Sequence, residues 1–158
     1  MGQSTHIAQL NVGVLNYPRD HEKSAGFVNN VPRVNALAER SKGFVWRCVD
    51  EAEAISSEGI DFFGGDPRAT FTMSVWETLE DFDAFVHRTI HGGFLKRRES
   101  WFKPLDTKTY VIWPIPAGHI LKLSEGLARL EQLRKNGATE EAFDFAFIEQ
   151  RKLADAQT

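Results

Sequence analysis

The sequence predicts an α+β fold, a ferredoxin-like βαββαβ chain with helices on one face of an antiparallel sheet and one further helix at the C-terminal end. Three observations lead there. Four short stretches alternate between apolar and polar residues with the period of a half-buried strand. Two of the intervals between them carry apolar residues three and four apart, the period of a helix. Their order along the chain is strand, helix, strand, strand, helix, strand.

The first strand is Ile7 to Leu15, with Ala8, Leu10, Val12 and Val14 on one face and Gln9, Asn11 and Gly13 on the other. Tyr17-Pro18-Arg19-Asp20 turns out of it. From about Ser24 to Arg40, Phe27, Val31, Val34, Leu37 and Ala38 form one helical stripe. Pro32 falls inside that stripe and predicts a kink, or a restart capped by Asn30 with Pro32 in the first turn. Gly43 closes the helix, and Phe44 to Asp50 reads as the second strand, with Phe44, Trp46 and Cys48 on one face. Residues 51–69 are acidic, contain glycine and show no period. They read as a long loop, either a plain connection or a lid in which Phe62 and Phe63 cover a pocket.

Thr70 to Trp76 alternates as the third strand. Thr78 lies three residues before Asp81, and Glu77, Glu80, Asp81 and Asp83 crowd the following turns, where carboxylates suit the positive end of a helix dipole. Thr78 is therefore the expected N-cap, and Leu79, Phe82, Phe85 and Val86 the buried stripe. Gly92-Gly93 ends this helix, a short second one resumes at Phe94, and Pro104 stops it. Tyr110 to Pro116 is the last strand, and the missing donors of Pro114 and Pro116 place it at an edge. Ser124 is the expected cap of a helix carrying Leu127, Leu130 and Leu133. Phe143, Phe145 and Phe147 read as a short extended segment, and residues 148–158 as a polar, frayed tail. The chain thus reads as one domain over residues 1–158, with its core at about 7–147.

Composition narrows the function classes. A net charge of −3 leaves no basic footprint for nucleic acid or an anionic membrane, because cationic residues cluster only at Lys96 to Arg98. Cys48 is the sole cysteine, so an internal disulfide is excluded and a reducing, cytoplasmic setting is expected. Neither a signal peptide nor an apolar run of membrane-spanning length occurs. The sequence also lacks a P-loop, a dinucleotide fingerprint and a nucleophile elbow. Large apolar residues lie on both sides of the second and fourth strands, whereas the chain's own helices shield one face. A second copy of the chain is expected to cover the other, giving a homodimer.

Several segments carry a family resemblance. They are Val34-Asn35-Ala36-Leu37-Ala38, Gly43-Phe44-Val45-Trp46-Arg47, Ser74-Val75-Trp76-Glu77, Phe85-Val86-His87-Arg88 with His91, Arg97-Arg98-Glu99, Trp101-Phe102, and Trp113-Pro114-Ile115-Pro116-Ala117-Gly118-His119. Together, over residues 7–147, they resemble the domain-of-unknown-function 3291 family and, more distantly, the dimeric α/β-barrel superfamily. The resemblance implies the barrel fold. It implies function only as a range, since that superfamily includes cofactor-free antibiotic-biosynthesis monooxygenases as well as haem enzymes such as dye-decolourising peroxidases and chlorite dismutases.

The candidate site residues follow from chemistry. Trp46, Trp76 and Trp113 come from three strands and, with Gln9, Asn11 and Asn35, have the composition of a mostly apolar pocket with a few orienting groups; the same tryptophans also suit a plain core. Phe85 would add to the wall, Asn35 and Arg47 would polarise a bound molecule, and Arg97 would meet an anionic group. His91 or His119 would accept a proton, an imidazole titrating near neutrality. His87 and His91 stand four apart on a helix but lack the HExxH glutamate, so no metal site is expected. Haem remains an alternative cofactor, with His91, or less favourably His87, as axial ligand and Arg97 or Arg98 at the propionates. Three functions remain open: a small-molecule-binding, monooxygenase-like oxidoreductase without a cofactor, a haem protein, and a non-catalytic binding or interaction module.

Overall fold

The computed structural model describes residues 4–91 and 97–156. Four antiparallel strands, β1 (Thr5–Val14), β2 (Phe44–Arg47), β3 (Ala69–Trp76) and β4 (Tyr110–Pro116), form one sheet in the order β2-β3-β1-β4. The helices are α1 (Ala25–Arg40), α2 (Glu51–Glu58), α3 (Leu79–His91), α4 (Arg98–Trp101), α5 (Leu123–Asn136) and α6 (Phe145–Ala156). With α1 between β1 and β2 and α3 between β3 and β4, this strand order is that of the ferredoxin-like α+β fold. The proline-bearing β4 lies at a sheet edge.

Alternation sorts the central strands as the sequence predicts. Ala8, Leu10, Val12, Phe71, Met73, Val75, Val111, Trp113 and Ile115 share one buried face, and Gln9, Asn11, Ser74, Trp76, Tyr110 and Ile112 lie on the other. β2 departs from it. A bulge between Phe44 and Trp46 sets Phe44 opposite Trp76 but Trp46 opposite Val75, so the two rings lie on opposite faces.

The sheet face expected to need a second copy is covered from within the chain. That face, bearing Leu10, Met73 and Trp113, packs against Leu123, Leu130 and Leu133 of α5, Ala54 and Ile55 of α2, and Phe62. α5 lies close on the sheet because Gly126 carries no side chain: a Cβ there would meet Leu10 and Trp113 at 3.1–3.2 Å. Residues 51–69 are accordingly not a structureless loop. Asp50 accepts the Glu53 N–H and starts α2, and Gly59 in the left-handed region ends it. Phe62 is buried edge-on against Phe71, so it is core, while Phe63 stays partly exposed.

Other local expectations hold or fail for identifiable reasons. Thr78 Oγ1 accepts the Asp81 N–H and caps α3. α1 ends at Arg40 with Ser41 as its C-cap, and Gly43, expected to close it, lies in the turn beyond at φ +83°, where any Cβ would strike the Asp81 carboxylate. Pro32 sits on the exposed side of an unbroken α1, and Asn30, instead of capping a restart, donates to the Gly26 carbonyl. α5 is capped by the Glu58 carboxylate, which accepts the N–H groups of Leu123 and Ser124 at 2.8 and 3.0 Å, and not by Ser124. Phe143 makes a single bridge to Ile112, after which Asp144 Oδ1 accepts the Phe147 N–H and the expected extended segment and tail become α6. Gly92, Gly93 and Phe94 lie outside the described residues.

Candidate binding site on the α1–α3 face

The face that carries α1 and α3 is built from two apolar clusters, not one. Near the start of β1, Trp76, Phe82, Ile112 and Phe143 pack with Ala38, Phe44 and Phe85. Near its end, Leu15, Phe27, Trp101 and Phe102 form a separate group with Val31. Between them the sheet presents polar side chains in register: Ser74 opposite Gln9, and Thr72 opposite Asn11, which in turn faces Tyr110. Thr72 is exposed on β3 just beyond the end of β2, whose last pair is Arg47 with Ser74. Its exposure leaves that corner of the α1–α3 face, beside Asn11 and past the end of β2, open to solvent.

The edge of this gap is held by a short hydrogen-bond network. Ser74 Oγ receives the Gln9 carboxamide at 2.8 Å and the indole N–H of the fully buried Trp76 at 3.0 Å. Phe85 stacks on Trp76 with ring centres 5.1 Å apart. Arg47 stands opposite Ser74 and therefore on the same face. Its Nε lies 3.5 Å from Glu39 Oε2 of α1. Asn35 is half-buried one helical turn from Val31 and one from Ala38, at the level where the two clusters part. Tyr110 Oη accepts the Phe145 N–H at the start of α6, and burial raises its pKa.

Of the site residues named from sequence, Asn35, Arg47, Trp76 and Phe85 thus gather on one face with Gln9 and Asn11. Trp46 and Trp113 do not: they lie across the sheet, Trp113 buried under α5 and Trp46 39% exposed near the edge. The expected three-tryptophan wall is therefore divided by the sheet itself. His119 is also on the far side, with Nε2 2.7 Å from Glu125 Oε1 while Trp113 donates to Oε2 at 3.4 Å. An ionised carboxylate only accepts, so Glu125 fixes the imidazole tautomer and ties the turn to α5. Arg97 is exposed beside α4. Thr72, Ser74 and Tyr110 share this face without having been named from sequence, although the period-two alternation of a strand groups Thr72 and Ser74 with Trp76, and Tyr110 with Ile112.

For haem, His87 does not fit. Its side chain is 64% exposed, so a haem there would lie open to water, although its Nδ1, 3.0 Å from the Asp83 carbonyl and 3.2 Å from the Asp83 carboxylate, leaves Nε2 free. The side chains of His91 and Arg98 lie outside the described residues. Among the described residues no group of three or more His, Cys, Asp or Glu side chains is placed to hold a metal ion. No helix among them is long and apolar enough to cross a membrane.

The sequence matches the domain of unknown function DUF3291 over residues 6–157. The chain belongs to that family. No protein of curated function matches this DUF3291 chain. Among solved structures it is similar to SnoaB, a cofactor-independent oxygenase from Streptomyces nogalater. A mutant form of that protein aligns at 14% identity and a TM-score of 0.47, covering 73% of this chain and 96% of SnoaB. A protein of unknown function from Nitrosomonas europaea aligns at 9% identity and a TM-score of 0.47, over 76% of this chain and 96% of its own. The ferredoxin-like assignment rests on the strand order.

Proposed function

We propose that this DUF3291 protein binds a flat, mostly apolar organic molecule in the gap between the two clusters on the α1–α3 face. The observation that carries the reading is the exposed Thr72 of β3, flanked by Asn11 and the Gln9–Ser74–Trp76 network. Aromatic walls with a few fixed polar groups are the usual composition of a small-molecule site. Gln9 and Ser74 are buried yet hydrogen-bonded, which holds them in place for a ligand without the cost of an orphaned polar group.

The groups meeting over this floor are carboxamide, hydroxyl, guanidinium, indole and phenyl. Such groups bind and orient; none readily takes up a proton at neutral pH. Binding is therefore the function this geometry supports best. Cofactor-free oxygenation is the finer reading, in which the bound molecule supplies the electrons to oxygen and Asn35 and Arg47 stabilise the charge that develops on it. Titration calorimetry with one- to three-ring aromatic compounds tests the binding reading, and an oxygen electrode run with any compound that binds tests the finer one. Saturable binding that is weakened in Gln9→Leu supports the site. Failure of the whole panel to bind would sink it.

A further inference from the structure

We propose that the molecule bound in this gap carries an oxygen anion, a carboxylate or an ionised phenol or enol, directed at Ser74 and Arg47. The inference rests on the binding site proposed above and names the ligand's chemistry. It comes from counting donors against acceptors. The Trp76 indole N–H can only donate, and Ser74 Oγ is its acceptor. With the Gln9 carboxamide nitrogen donating to the same oxygen, the Ser74 hydroxyl hydrogen is left to be given elsewhere. If the Gln9 amide is turned over, Ser74 donates to its oxygen and the Gln9 NH2 is left instead. The first arrangement leaves the Ser74 hydroxyl hydrogen, along with the Gln9 oxygen as an acceptor, and the second leaves the Gln9 N–H groups, so each offers a ligand at least one donor.

Arg47 adds to those donors. Its Nε is sealed from solvent and is, among the described residues, the buried side-chain nitrogen or oxygen that lacks a hydrogen-bond partner. The nearest carboxylate, Glu39 at 3.5 Å, does not meet hydrogen-bond geometry, and its side chain is 48% exposed and thus screened by water. Nη1 donates to the Cys48 carbonyl at 3.4 Å. Arg47 and Ser74 occupy paired positions on adjacent strands, on the same face. A buried, unmatched N–H is costly to keep. A planar oxyanion arriving from the gap would meet the part of the Arg47 side chain that stays open, 21% of it, and the free hydroxyl or amide donor together, in charge-assisted hydrogen bonds. A neutral hydrocarbon would leave both unmet.

Matched pairs of ligands provide the test, with binding measured by calorimetry at pH 7.5: 2-naphthoate against methyl 2-naphthoate, and 2-anthroate against its methyl ester. The wild-type protein should bind each acid about tenfold or more tightly than its ester, the scale of one charge-assisted contact. Arg47→Gln should erase that preference by weakening the acid more than the ester, and Arg47→Lys should restore part of it. Melting curves identify any variant that has failed to fold, and Ser74→Ala then serves as the second variant, expected to narrow the preference. Equal binding of acid and ester, or a preference that survives Arg47→Gln, overturns the oxyanion proposal while leaving the binding site intact. If neither member of either pair binds, the site itself falls.

Discussion

Removing the Glu58 carboxylate tests how the second face of the sheet is covered. That side chain, at the last residue of α2, accepts two backbone N–H groups at the first turn of α5, at 2.8 and 3.0 Å. It fills the role of an N-cap supplied from another helix. Loss of an N-cap acceptor costs about 0.5–2 kcal/mol. Two charge-assisted bonds on a part-buried group place Glu58→Ala near ~1.5 kcal/mol. For a chain of this length that corresponds to a fall in Tm of roughly 3–6 °C. The dependence on pH supplies a second handle. Burial acts to raise the Glu58 pKa, but the hydrogen bonds from Ser124 and Leu123 outweigh it and hold the pKa below its ordinary 4.5. The contribution is therefore fully present above pH 4.5 and is lost as pH falls through the lowered folded value. Thermal melts of wild type and Glu58→Ala at pH 7 and at about pH 3 read both effects. Equal Tm at pH 7, or a difference that persists undiminished in acid, would refute the clasp.

Phe62→Ala should cost about 3–5 kcal/mol in urea unfolding, because it empties a core position, whereas Phe63→Ala should stay within ~0.5 kcal/mol. Comparable losses for the two would contradict the burial difference. Burial pushes the Asp144 pKa upward, but Lys108 and the Phe147 N–H together hold it below 3.8. Its stabilising effect should thus be present above pH 3.8 and vanish in stronger acid. Asp144→Asn should cost about 1–2 kcal/mol at pH 7 and speed amide exchange through α6, measured by hydrogen–deuterium exchange. Thr72→Trp should fill the gap and weaken arene binding about tenfold or more with little change in Tm. His119→Gln, across the sheet, should leave that binding unchanged in the same titration.

The sheet was legible because alternation is a local signal: the residues of β1, β3 and β4 that alternate in sequence alternate between the two faces of the sheet. The helix α3 was legible for the same kind of reason, since Thr78 and its carboxylates act within one turn. What failed depended on distant partners. No period marks α2, because its weak apolar face acquires meaning only under α5, and the Glu58 cap joins residues 65 apart. The bulge in β2 inserts one residue that sequence periodicity does not show, and it moved Trp46 to the face opposite Phe44. The grouping of the candidate residues was half legible. Asn35, Arg47, Trp76 and Phe85 come together, but separating them from Trp46, Trp113 and His119 required the register of the strands. Leu123, Leu130 and Leu133 mark a helix in the sequence without saying where it docks, and α5 covers the face that alternation alone leaves bare.

A guest lying over Thr72 on the α1–α3 face would be seen most directly as difference electron density in crystals soaked with a binding arene. The density should lie between Trp76 and Phe27, within hydrogen-bonding reach of Asn11 or Ser74. Density confined to the opposite face, beside Trp46 and Trp113, would contradict that placement.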